Sequence, residues 1–105
     1  MRELKFIVTV QSIKKDPSCD FSCIVPGTEG YLKAVFAFDE TWRGCEKIAE
    51  FRKYNIKDCT PVRLNDNSCM IPAEELTKNV FYVNVIGIRP GFRIRTNKTE
   101  VRQDG

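Results

Sequence analysis

The chain has 105 residues, 42% of them hydrophobic, with 17 Lys/Arg against 14 Asp/Glu and no histidine, for a formal net charge of +3. That length fits a single domain over residues 1–105 with one core, and no apolar run approaches the ~20 residues that a membrane-spanning helix needs. Without histidine, Cys-His and Ser-His nucleophile pairs are impossible, and an excess of +3 is modest for a dedicated nucleic-acid binder.

The first residues, MRELKFIVTVQ, place charges inside an apolar alternation. They read as a strand and not as an export signal, so the expectation is a protein kept in a cytoplasm. Leu4, Phe6, Val8 and Val10 alternate with Lys5, Ile7, Thr9 and Gln11, the pattern of a strand with one buried face. Asp16-Pro17 marks a loop over 14–18. A short strand is expected over 21–25, closed by Pro26-Gly27, with a turn at 28–30.

The central stretch is 31–51. Leu32, Ala34, Phe36 and Phe38 share one face of a strand. Asp39-Glu40-Thr41 breaks it, Trp42 is the single tryptophan, and Gly44 frees the backbone to turn. Lys47, Ala49 and Phe51 resume the alternation, so two strands are joined by a loop whose tryptophan folds over the end of the sandwich or barrel.

Residues 52–58 read as a hairpin connection. Val62 and Leu64 point inward with Arg63 and Asn65 outward, and Pro61 suits an edge or a strand start. Asp66-Asn67-Ser68 is a tight turn into 69–71. Pro72 followed by Glu74 and Glu75 predicts one helical turn. Phe81, Val83 and Val85 form the next inward row, and Gly87 ends or bulges that strand. Residues 89–92, Arg-Pro-Gly-Phe, make a hairpin turn. Phe92, Ile94 and Thr96 then alternate with Arg93, Arg95 and Asn97, and 102–105 is a frayed tail. Together these predict an all-β, single-domain antiparallel β-sandwich, immunoglobulin-like, of seven or eight short strands with at most one helical turn.

Cys19, Cys23, Cys45, Cys59 and Cys69 are odd in number and follow no export signal, so reduced thiols are expected. A zinc site built on Cys19 and Cys23 would need two further ligands, with no histidine to supply them. No metal and no cofactor is expected, and no Gly-rich phosphate loop occurs. Asp39-Glu40 and Glu74-Glu75 are adjacent carboxylates whose side chains should diverge, which argues against an enzyme.

Two groups stand out as binding candidates. Trp42 is either a plug over the end of the core or an exposed anchor for a partner. Arg93 and Arg95 share a strand face, with Arg89 before the turn and Lys98 after it. They form either a solvated outer face that blunts unwanted strand pairing or a contact for an acidic protein surface or nucleic-acid phosphates.

The residues also form an ordered set of motifs: V-x-G-T-x-G-Y-L at 25–32, F-x-F-D-E-x-W-x-G at 36–44, K-I-A-E-F at 47–51, L-N-D-N-S-C-M-I-P-A-E-x-L at 64–76, F-Y-V-N-V-I-G-I at 81–88 and I-R-T-N at 94–97. This order resembles small β-sandwich modules of phage tails and baseplates from Gram-positive hosts, such as the N-terminal module of upper baseplate proteins. The resemblance implies a non-enzymatic assembly role through protein–protein contact with a phage tail protein, in the infected host's cytoplasm and then in the virion. A second reading is a small phage-encoded inhibitor of the anti-CRISPR kind, bound to a host defence protein. Direct nucleic-acid binding is the third.

Overall fold

In the computed structural model, which describes residues 1–53, 58–77 and 79–103, the alternating runs become nine strands among the described residues. These are β1 (Arg2–Thr9), β2 (Ser12–Lys15), β3 (Leu32–Phe38), β4 (Glu46–Lys53), β5 (Thr60–Arg63), β6 (Ser68–Met70), β7 (Val80–Arg89), β8 (Phe92–Arg95) and β9 (Thr99–Arg102). Among the described residues helix is limited to 310 turns at Glu40–Trp42 and Ala73–Thr77. The expected helical turn at 72–76 is the second of these. The expected hairpin connection at 52–58 includes residues 54–57, which lie outside the described residues.

The strands form two packed sheets, so the fold is an all-β sandwich. One sheet runs β2-β1-β3-β6. The other runs β5-β4-β7-β8, with β9 also paired to β7. The pairing is not antiparallel throughout. β1 and β3 run parallel, in register from Arg2↔Leu32 to Val8↔Phe38. A parallel pair needs a connection that carries the chain back to the starting end, and here residues 16–31 do so.

That crossover is why 21–25 is not a strand. The Arg2 guanidinium donates to the carbonyls of Asp20, Ser22 and Cys23 at 2.9, 2.6 and 3.2 Å, and Cys23 has φ +54°. The Asp16 carboxylate accepts from the Ser18 N–H and hydroxyl, and Asp20 does the same with Ser22. These local bonds offer the backbone an alternative to a ladder.

Period-2 phase decides the core. Leu4, Phe6 and Val8 of β1 meet Ala34, Phe36 and Phe38 of β3 across the parallel register. Ala49, Phe51, Phe81, Val83 and Val85 face them from the second sheet, each fully buried. An aromatic series crosses the interior: Phe21 to Phe6 at 5.5 Å, Phe6 to Phe36 at 5.3 Å, Phe36 to Phe38 at 6.0 Å and Phe38 to Trp42 at 5.2 Å between ring centroids. Each such pair contributes about 0.5–1.5 kcal/mol beyond its buried area.

The sandwich is stitched at both sides. Asn97 accepts from the Ile13 N–H through its Oδ1 at 2.9 Å and donates its own N–H to Gln11 O at 3.0 Å, tying β2 to the β8–β9 connection. On the other side Asp66 and Asn67, with φ +52° and +60°, form the tight turn that carries β5 of one sheet into β6 of the other. Asp and Asn tolerate that left-handed backbone better than other side chains. At the C-terminal end Arg102 lies in β9, and Gln103 is buried with its N–H on Asn79 O at 2.6 Å. The chain is therefore held through 103, where fraying was expected from 102.

Candidate functional site

Trp42 is completely buried and is not a surface anchor. Asp39 caps the 310 turn through the Thr41 N–H, and its other oxygen accepts the Val10 N–H at 2.8 Å. The Trp42 indole N–H donates to Val10 O at 2.8 Å. Both polar groups of Val10 are thus fixed from the same loop, which holds that exposed residue at φ +52°, a conformation rare for a β-branched side chain. Val10 therefore ends β1 and does not continue its inward row.

Gly87 explains why the indole fits. A Cβ there would stand 2.7 Å from Trp42 Cε3 and Cζ3. The glycine neither ends nor bulges β7, which continues to Arg89. It opens the slot that the tryptophan fills.

Arg89 also turns away from the expected cluster. Its Nη1 donates to Arg43 O at 2.7 Å and to Thr41 O at 3.4 Å, and its guanidinium lies 3.9 Å from the Phe92 ring centroid. It fastens the 39–45 loop over the sandwich end. Two adjoining cavities of about 340 and 290 Å³ open at that end and share Lys47 and Asn67. Of the four carboxylates that line them, Asp39 caps the turn and Glu46 pairs with Arg63 at 3.3 Å, while Glu40 and Asp66 stand at their edges.

Arg93, Arg95 and Lys98 do come together, on the outer face of the five-stranded sheet. The register there places side chains in rows. Glu46, Ile88 and Arg93 form one row. Arg63, Ile48, Ile86 and Arg95 form the next. Pro61, Glu50 and Asn84 follow, then Arg52, Tyr82 and Glu100. Arg102 closes the face opposite Val80. Lys98 reaches this face with its amine 4.6 Å from the Tyr82 ring centroid.

Glu50 is the hub. Its side chain is only 13% exposed. It accepts from Asn84 Nδ2 at 2.8 Å, from Cys59 Sγ at 3.3 Å and from Arg95 Nη2 at 3.0 Å, with Arg52 Nη2 at 3.7 Å. Burial alone would raise its pKa. The hydrogen bonds from Asn84 and Cys59, with the Arg95 and Arg52 charges, outweigh burial and hold the carboxyl below its ordinary range. Because its folded pKa is depressed, Glu50 stabilises the fold above its unfolded pKa, and that contribution is lost as pH falls through the folded value. Acid titration of stability should therefore be steeper below about pH 5 in the parent than in Glu50→Gln. Parallel curves would show that Glu50 carries no such linkage.

Sequence reasoning singled out Arg102 as part of the C-terminal basic excess and Tyr82 as a stacking candidate, but it did not bring Arg52, Arg63 or the isoleucines to this face. The available signal was phase: each stands one position off an inward residue. Which strands lie side by side was not available, so the cluster could not be assembled.

All five cysteines are free thiols. Burial pushes the Cys69 thiol up to about 12, and burial together with the Glu50 carboxylate raises Cys59. Neither is poised as a nucleophile. Among the described residues no group of three or more Cys, Asp or Glu converges as a metal site, and no helix is long and apolar enough to cross a membrane. The two adjacent carboxylate pairs form no dyad: Asp39 caps a turn, while buried Glu75 accepts from the Thr60 hydroxyl at 2.6 Å.

Comparison with protein-family models, with curated proteins and with solved structures finds no match to this chain.

Proposed function

We propose that this chain is a non-enzymatic module that works by protein–protein contact, of the assembly kind it resembles in phage tails and baseplates. The supporting observation is the outer face of the five-stranded sheet. Arg52, Arg63, Arg93, Arg95, Lys98 and Arg102 stand there against Glu46, Glu50 and Glu100. That leaves an excess of three cations, as large as the net charge of the whole chain. A rigid sheet presenting such a face suits docking, since its geometry is set before a partner arrives. On this reading the protein acts in the infected cell during assembly and in the virion afterwards.

The test uses the tagged protein as bait in lysate from phage-infected bacteria. A tail or baseplate protein should be recovered, identified by mass spectrometry, and lost with Arg93→Glu/Arg95→Glu. Recovery of a nuclease or another defence protein would replace the assembly reading with that of an inhibitor. Nucleic acid alone, removed by nuclease digestion, would overturn protein contact altogether.

A further inference from the structure

We infer that the outer face of the five-stranded sheet docks a protein surface that sets carboxylates beside an apolar contact, not a nucleic-acid backbone. This inference rests on the reading of that face as a protein-contact surface, and it names the chemistry of the partner.

The face has the anatomy of an interface. Ile48 and Ile86 are paired in register, and Ile88 lies two residues further along β7; Ile86 is buried beneath its neighbours, so half-buried Ile48 and exposed Ile88 are what a partner meets. Ile88 is 41% exposed, one of the few large apolar side chains left in solvent. Arg93 stands beside Ile88 and Arg95 beside Ile86, while Arg63 stands on the far side of Ile48. Specific protein interfaces combine apolar contacts with charged side chains beside them.

The charges say what the partner carries. Each carboxylate of the face is already in an ion pair: Glu46 with Arg63, Glu50 with Arg95 and Arg52, and Glu100 with Arg102. Arg93 and Lys98 have no ion-pair partner among the described residues. An opposing surface gains most by bringing one carboxylate to Arg93, beside Ile88 at one end of the face, and another to Lys98, over Tyr82 three rows along β7.

Nucleic acid fits this face less well. A phosphodiester chain carries charge at every step, and the interleaved carboxylates would repel it locally. A single strand would also need an open aromatic platform. Tyr82 is the aromatic side chain of these rows, and the Lys98 amine lies over its ring.

The inference is tested by fluorescence anisotropy with three labelled probes of equal charge. One is a peptide alternating Glu with Ile and Tyr, one is an all-Glu peptide, and one is an oligothymidylate. The alternating peptide should bind tightest. Arg93→Glu/Arg95→Glu should weaken it by about tenfold or more, and Ile88→Ser should weaken it without affecting the all-Glu peptide. Arg102→Glu, at the far end of the face and beside its own carboxylate partner, should do much less. Each variant is first matched to the parent by circular dichroism and denaturant midpoint. Tightest binding of oligothymidylate with the same arginine dependence would overturn the inference in favour of nucleic acid. No binding of any probe, or binding indifferent to Arg93 and Arg95, would overturn it outright. Peptide binding with no tail protein captured from lysate would sink the assembly role and leave this inference standing. Capture that survives Arg93→Glu/Arg95→Glu would place the assembly contact elsewhere and sink this one.

Discussion

Trp42→Ala is expected to cost about 3–5 kcal/mol, a large share of the roughly 5–15 kcal/mol that holds a domain of this size. The indole is completely buried and packs on Phe38 at 5.2 Å. Its N–H satisfies Val10 O at 2.8 Å, so truncation also strands a carbonyl in a turn that already carries an unfavourable φ. The same slot makes the reverse prediction. Gly87→Ala would place a methyl 2.7 Å from the indole and 3.0 Å from Ile94 Cγ2, closer than such atoms come without displacement. Overpacking of this kind costs about 1–3 kcal/mol. The indole cannot yield cheaply, being held at its N–H and closed in by the Arg89-fastened loop. Because the two sites touch, their effects should not add: Gly87→Ala should cost less in a Trp42→Ala background than alone. Denaturant midpoints for the two single variants and the double give the answer. Additive costs, or an unchanged midpoint for Gly87→Ala, would refute the slot.

Phe51→Ala should cost a similar ~3–5 kcal/mol through lost burial and a residual cavity. Phe51 is fully buried in β4, with its ring 6.4 Å from Phe81. Its neighbours in sequence, Glu50 and Arg52, belong to the outer network, so the same strand supplies an internal comparison. Ile88→Ala, on the outer face and 41% exposed, should cost well under half as much as Phe51→Ala. Phe36→Ala should behave like Phe51→Ala, since Phe36 is buried against Phe6 at 5.3 Å. Equal small losses for Phe51→Ala and Ile88→Ala would mean that the inward and outward rows of β4 and β7 are exchanged.

The outer network links stability to a surface the protein can use. Glu50 keeps Arg95 over Asn84 and Cys59, where it faces outward beside Arg93. An ion pair this exposed on its arginine side contributes little to folding in itself. Its larger effect is to fix where the cation stands, which lowers the ordering cost when a partner arrives.

Strand phase was legible in the sequence. Leu4, Phe6 and Val8, then Leu32, Ala34 and Phe36, then Ala49 and Phe51, then Phe81, Val83 and Val85 all face the core as their alternation predicts. Alternation is a local property: successive side chains of an extended backbone point to opposite faces whatever lies beside them. The left-handed turn at Asp66-Asn67 and the helical turn after Pro72 were legible for the same reason, since each depends on the chemistry of a few adjacent residues. Neighbourhood was decided only by the tertiary structure. Nothing within β1 or β3 says that they lie parallel, and it is the Arg2-held crossover of 16–31 that brings them so. Nothing near Gly87 in sequence says that an indole 45 positions away needs its missing side chain. Nor does the run from Arg89 to Lys98 say that Arg89 turns in to the 39–45 loop while Arg93 and Arg95 turn out to meet cations from β4, β5 and β9. Each of these depends on which distant segments pack together, and that is settled by competition among all the surfaces the chain can bury at once, a competition no local pattern encodes.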